Sequence, residues 1–223
     1  MVWHLTAATG TTGGIGSTAL QTILDRKLVP TSELCISAYN TAGIPAHIKE
    51  SGIAIRTGNL YDRETLEKSY AGADALFLVS FPSMGEERFA LHKNAIDAAK
   101  AVGVRHIIYT SLSFRGTASD EAPNTSAAQV AQAHILTESY LRQSGLTYTI
   151  VRMATYAHLW NNYAGFLNLS TGDNAAAPLQ AVLPDDGPAH WANRADLGEA
   201  TGIIVANWVC LSNSRTRVPL CTS

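Results

Sequence analysis

The chain is poor in cysteine. Cys35, Cys210 and Cys221 are the only three in 223 residues, and their spacing suggests neither a disulfide framework nor a zinc site. Cys35 lies in an apolar run and reads as buried packing. There is no basic cluster either: 16 Lys and Arg stand against 18 Asp and Glu, for a net charge of -2. That balance gives no footprint for nucleic acid or an anionic membrane surface. The N-terminus runs straight into a strand-like segment with no charged leader, so no signal peptide is expected. The longest late apolar run, Ile203 to Leu211, is interrupted by Asn207 and is far too short to cross a bilayer. No internal repeat or low-complexity tract is visible. What remains is a soluble, cytoplasmic chain able to bury one substantial core.

The strongest positive signal is TGTTGGIG at residues 9 to 16. It follows an apolar run, Val2 to Ala8, and opens a helical pattern, Ile15 to Leu28. Glycines 10, 13 and 16 give G-x-x-G-x-x-G between a strand and a helix. Gly10 permits a tight turn, Gly13 lets the backbone approach a pyrophosphate, and Gly16 lets helix and strand pack closely. The helix N-terminus then presents N–H groups and a partial positive charge to the phosphates. The reading is a dinucleotide site; the alternative is an ordinary glycine-rich turn.

Strand-like and helical runs alternate along the rest of the chain. Leu34–Tyr39, Ala54–Thr57, Ala75–Ser80, His106–Thr110 and Thr147–Val151 read as strands. His47–Ser51, Arg63–Tyr70, Glu86–Val102 and Ser126–Ser144 read as helices. Ile15, Ala19, Leu20, Ile23, Leu24 and Leu28 share one face of the first helix, which Pro30 closes. Leu66 faces inward on its helix, as do Phe89, Ile96 and Ala99 on theirs. This order predicts an α/β fold, a Rossmann-type doubly wound parallel sheet with helices on both faces, whose ligands sit at the strands' C-terminal ends. One domain is expected over residues 1–205, with an atypical tail at 206–223.

Several segments together resemble the NmrA-like branch of the atypical short-chain dehydrogenase/reductases. TGNLYDRETLEKSYAGADALFLV, 57 to 79, is similar to the branch's G-D-L-x-D…L…A-x-x-G-x-D-x-x-F-x-V. GVRHIIYTSLS, 103 to 113, resembles its fifth strand, and HILTESYLRQSGLTYTIVRMATY, 134 to 156, its H/K-x-x-x-E…S-G-L-x-Y-T-x-x-R stretch. PAHWANRADLGEATGIIV, 188 to 205, resembles the start of its late helix with Arg-x-Asp-Leu. Quinone reductases linked to NADPH and fungal redox-sensing regulators are the nearest in character. The resemblance implies a cofactor, NADP with NAD not excluded. Thr11, Thr12, Gly13, Gly14, Ile15 and Gly16, with Gly10, would wrap its pyrophosphate. Tyr39 and Asn40 would flank the adenosine ribose, Gly58 and Asn59 the adenine, and Ser80 and Phe81 the adenine or ribose. Ala154, Thr155, Tyr156 and Ala157 would lie beside the nicotinamide.

Two absences bear on chemistry. Standard short-chain reductases use Tyr-x-x-x-Lys, yet no Tyr here has Lys four residues on, and the last lysine is Lys100. His134 stands on the corresponding helix, where the resemblance implies a ribose contact and a practical proton donor; the alternative is a histidine at the helix surface. Ser111, with Ser113 nearby, would touch substrate, and Tyr156 is the preferred proton donor, against a reading of Tyr156, His158 and Trp160 as an aromatic shell. Residues 37 to 46 hold no charged side chain, where the branch often has Arg at the position of Tyr39 for the 2′-phosphate. His47 and Lys49 could serve if their loop folds back; the alternative is a pair of solvated loop positions. The stretch after Val205 stands where relatives continue into a substrate-covering region, so an incomplete substrate subdomain is expected. The implied activity is hydride transfer to a quinone, enone or small carbonyl, or alternatively NAD(P) sensing through a protein partner. Expected partners are a small-molecule substrate and a second copy of the chain, with no nucleic acid bound directly and no membrane.

Overall fold

The computed structural model describes residues 3–6, 14–83, 85–113, 125–159 and 190–208, of which 3–6 as backbone path alone. Six parallel strands form one sheet: β1 (Trp3–Thr6), β2 (Leu34–Ala38), β3 (Ala54–Thr57), β4 (Ala75–Leu78), β5 (His106–Leu112) and β6 (Thr147–Met153). Their order is β3-β2-β1-β4-β5-β6, so the chain turns back at β1 and fills the sheet outward in both directions. Helices α1 (Gly14–Asp25), α2 (Ala46–Lys49), α3 (Arg63–Tyr70), α4 (Gly85–Ala101) and α5 (Gln129–Gln143) follow the first five strands. A short parallel pair, β7 (Thr155–Tyr156) with β8 (Trp191–Ala192), precedes the last described helix, α6 (Arg194–Ala206). No helix among the described residues is long and apolar enough to cross a membrane.

Alternation along the strands divides the core into two layers. Ile36, Phe77, Ile108 and Val151 pack under α1 and α6, with Ile15, Ala19, Leu20 and Ile23 of α1. Leu76, Leu78, Ile107 and Tyr109 face α3, α4 and α5, with Leu66, Tyr70, Leu91 and Ile96. Both faces of the sheet are thus covered, as continuous apolar strands require. Cys35 is buried in β2, which pushes its thiol up to about 11 and leaves it unreactive.

Three features differ from the sequence expectation. α1 stops at Asp25, short of Leu28, because Lys27 takes φ 51 and the chain closes with Lys27 N–H to Leu24 O and Leu28 N–H to Ile23 O. That pair of hydrogen bonds is a Schellman ending with lysine where glycine is usual, hence invisible to a search for Gly. On α4 the inward stripe takes Arg88, Leu91, His92, Ala95, Ile96, Ala98 and Ala99, while Phe89 is half-buried edge-on to Tyr140. The boundary expected at Val205 falls inside α6, and Trp208 is buried, stacked 5.4 Å from the His106 ring. Residues 209–223 lie outside the described residues, as does Trp160.

α6 docks on α1 through glycines. A Cβ on Gly202 would stand 2.7 Å from the Ala19 carbonyl oxygen, and one on Gly198 2.3 Å from Thr18 Cβ. Each glycine costs its helix about 1 kcal/mol of propensity, offset by the close approach it allows. Because the atom at Gly202 is backbone, Gly202→Val must push the helices apart. The expected loss is about 1–3 kcal/mol in urea unfolding; an unchanged midpoint would show that the crossing is looser than drawn.

Candidate functional site

Parallel strands deliver their C-terminal loops to one edge, and the sequence-predicted residues gather there. Gly14 opens α1 at φ +79 with nothing within 4 Å of the place a Cβ would take. The first turn of α1 carries no acidic side chain, so its positive end is not neutralised internally. Ile15 and Gly16 are buried in the same turn. Gly10, Thr11, Thr12 and Gly13 lie outside the described residues.

After β2, Tyr39 is 69% exposed, and Asn40 Oδ1 accepts the N–H groups of Ala42 (3.0 Å) and Gly43 (3.3 Å). This Asx turn folds the loop back, and Lys49 Nζ donates to Ala42 O at 3.0 Å. A cleft of about 350 Å³ opens beside it, between Ser17 and Gln21 of α1 and Pro45 and His47. After β3, Gly58 is fixed by packing: a Cβ there would lie 2.1 Å from Ser37 Oγ. Asn59 Oδ1 accepts from Tyr61 N–H, ordering the turn before the Asp62 cap of α3. After β4, Ser80 N–H donates to Thr110 Oγ1 and Phe81 N–H to His92 Nε2, while the Phe81 ring meets Tyr61 edge-on. Ser80 Oγ is buried with no hydrogen-bond partner. After β6 come Ala154, Thr155, Tyr156 and Ala157, with Thr155 N–H bound to His190 O.

The three candidate proton-handling residues have other engagements. His134 is 2% exposed and therefore is not a helix-surface residue. Its Nε2 faces Arg88 Nη1 at 3.0 Å and its Nδ1 faces the Tyr109 hydroxyl at 2.7 Å. A guanidinium can only donate, so Nε2 accepts and the proton on Nδ1 goes to Tyr109. Ser111 is buried and donates to Glu138 Oε1 at 2.6 Å. Glu138, fully buried, also receives Arg152 Nε at 3.1 Å and Arg152 Nη2 at 2.7 Å. Tyr156 donates to Met153 Sδ at 3.6 Å and stacks on His158; burial pushes its phenol up, with Arg194 opposing.

Behind them, His92 Nε2 accepts from Phe81, so its Nδ1 carries the proton and donates to Thr137 Oγ1, which donates to Ala133 O. Burial, with His134 and Arg88 nearby, holds His92 well below the usual histidine range. Burial, with the Glu138 charge adding to it, pushes the Tyr109 phenol well above its usual range. Sequence reasoning passed over Arg88, His92, Tyr109 and Arg152. Arg88 and His92 were within reach, since they lie at helical spacing with Leu91, Ala95 and Ile96.

This geometry, a glycine-opened helix after the central strand and loops from four further strands on one edge, fits a dinucleotide. Residues 10–164 match the family described as NAD(P)H-binding. The chain belongs to that family. Quinone oxidoreductase 2 of Escherichia coli K12 is 31% identical over 204 residues, covering 90% of this chain and 63% of the relative. The NmrA-like family domain-containing oxidoreductase flvB of Aspergillus flavus is 28% identical over 196 residues, covering 86% and 59%. The NAD(P)H-binding chain thus spans about three-fifths of the length of the curated relatives it matches. Among solved structures, the Escherichia coli NADPH-dependent quinone oxidoreductase complexed with NADPH superposes with a TM-score of 0.69 at 27% identity, over 92% of this chain and 64% of that one. The resemblance to NmrA-like reductases and the Rossmann-type fold expected from the sequence both hold.

Proposed function

We propose that the protein is an NADPH-dependent oxidoreductase that transfers hydride to a quinone, enone or other small conjugated carbonyl. The observation that carries this is the convergence of Gly14, Asn40, Asn59, Ser80 and Ala154 on the C-terminal edge of a sheet that reverses at β1. Similarity to a quinone oxidoreductase over nine-tenths of the chain supports the substrate class. The bound nicotinamide supplies the hydride; the protein binds and orients it. Gly10, Thr11, Thr12, Gly13, Gly14, Ile15 and Gly16 hold the pyrophosphate. Tyr39, Asn40, Gly58, Asn59, Ser80 and Phe81 line the adenosine side. Ala154 to Ala157 flank the nicotinamide, with His134 reaching its ribose once its ring releases Arg88 or Tyr109. Ser111 and Tyr156 are the substrate-side hydroxyls, and solvent completes protonation of a quinol oxygen. Purified protein should consume NADPH absorbance when quinones are added; no loss across a panel of benzoquinones and naphthoquinones would overturn the reading.

Lys49 takes the part of the missing arginine toward the 2′-phosphate, because its ammonium already folds onto the loop after β2. As an exposed point charge it contributes little, so Lys49→Met should weaken NADPH binding about two- to fivefold. NADH binding should stay unchanged in the same calorimetric titrations. Equal effects on both would remove Lys49 from this role.

A second reading, NAD(P) sensing without turnover, draws on the engagement of Ser111 by Glu138 and the raised Tyr156 phenol, which leave weak acid–base machinery. It requires unequal affinity for oxidised and reduced cofactor. Matching affinities in calorimetry would eliminate it.

A further inference from the structure

Arg88 is a buried cation with no acid beside it. Its side chain is 9% exposed, and no carboxylate among the described residues lies within ion-pair distance. Its one hydrogen bond runs from Nη1 to the neutral His134, and Nε has no partner. Arg152 shows what that edge of a guanidinium can do: its Nε and Nη2 together grip the Glu138 carboxylate. The matching edge of Arg88 holds nothing. A charge taken out of water without a partner costs several kcal/mol, so such residues persist where function needs them.

Two hydroxyls near the C-terminal ends of β4 and β5 share this incompleteness. Ser83 Oγ, two residues before α4, and Ser113 Oγ, just past β5, are both buried without a partner. The openings of α4 and α5 adjoin, since a Cβ on Gly85 would stand 3.6 Å from Gln129 Oε1. Arg88 therefore sits one turn into α4, against α5, above the ends of β4 and β5. That is the sheet edge that also holds the cofactor loops.

We infer that Arg88, with the hydroxyls of Ser83 and Ser113, forms a carboxylate-binding subsite, and that the substrate is a conjugated small molecule bearing a carboxylate. As a substrate subsite this rests on the oxidoreductase reading; as an anion site it does not. The planar fork of Nε and Nη2 suits a carboxylate bidentately, through charge-assisted hydrogen bonds.

The test titrates benzoate and neutral benzamide into the full-length protein by calorimetry, with and without NADPH, for wild type, Arg88→Met and Arg88→Lys. Wild type should prefer benzoate at least about tenfold. Arg88→Met should lose that preference, Arg88→Lys should keep part of it, and NADPH affinity should stay within about twofold in both. Equal binding of the two probes by wild type, a preference surviving in Arg88→Met, or a joint loss of NADPH affinity would each overturn the subsite. Wild type that binds benzoate but not NADPH would sink the oxidoreductase reading and leave the anion site standing. If Arg88→Met does not fold, benzoate should still shield Arg88 of the wild type from phenylglyoxal. Modification at an unchanged rate would overturn the proposal.

Discussion

Replacing Glu138 with alanine is expected to lower the unfolding free energy by about 3–5 kcal/mol, the usual consequence of removing one partner of a buried ion pair. Glu138 is fully buried on α5, and its carboxylate is held by the β6 residue Arg152 through both Nε and Nη2. Ser111, which lies opposite Arg152 in the β5–β6 register, donates to the same carboxylate. One side chain thus joins a helix to two strands, and its loss leaves a guanidinium that is only 22% exposed without its counter-charge. For a chain of this size each kcal/mol moves Tm by about 2–4 °C, so a fall of roughly 6–20 °C should appear in a thermal melt. Arg142 also touches Glu138, at 3.0 Å, but is 36% exposed and should matter far less. A double-mutant cycle with Arg152→Met should return a coupling of about 0.5–3 kcal/mol. A loss below about 1 kcal/mol for Glu138→Ala would mean that the pair is effectively solvated.

Acid should destabilise the protein before its carboxylates titrate. His106 is 1% exposed on β5, bonded at Nδ1 to Thr147 Oγ1 and at Nε2 to Thr149 Oγ1. Thr147 already donates to Arg105 O, so His106 Nδ1 carries the proton and Nε2 accepts from Thr149. Burial lowers this histidine to about 4. In the unfolded chain an imidazole takes up its proton near 6.5. Between those values only the unfolded state holds the proton, so stability present at neutral pH is lost as pH falls from 6.5 toward 4. The interval is worth about 3 kcal/mol from His106, and His92 adds a loss of the same sign. Urea unfolding at pH 7.5, 6 and 5 should show the decline, flattened in His106→Asn. A constant free energy across that range, or an unaltered slope in the variant, would refute it.

Most of the fold was legible because apolar strands between helical stripes have few other ways to bury themselves. β3 and α3 fall where periodicity puts them, at Ala54–Thr57 and Arg63–Tyr70. β5 and β6 each run two residues further than their apolar text suggests, because Ser111 and Arg152 are paired through Glu138 rather than solvated. The cofactor edge was readable from loop positions, although the glycines at 10 and 13 lie outside the described residues. The polar interior was not readable. Periodicity sorts side chains by hydrophobicity, so it chose Phe89 over Arg88 and could not see that Arg88 and Tyr109 each meet the His134 ring out of water. Tertiary partners decide such positions, and they come from α4, β5 and α5 at once.

The crossing of α6 on α1 also has a bearing on how the chain folds. Gly198 and Gly202 meet Thr18, Ala19 and Thr22 across nearly the whole described chain. During synthesis the helix that opens the cofactor loop therefore emerges well before α6, and the groove for its neighbour stays bare until the last described helix arrives. Contacts of such long sequence separation form slowly, because loop closure must precede any reward. The nascent protein would carry an unfinished nucleotide-binding half between synthesis of α1 and of α6, and a chaperone able to cover that groove would act on it during this interval.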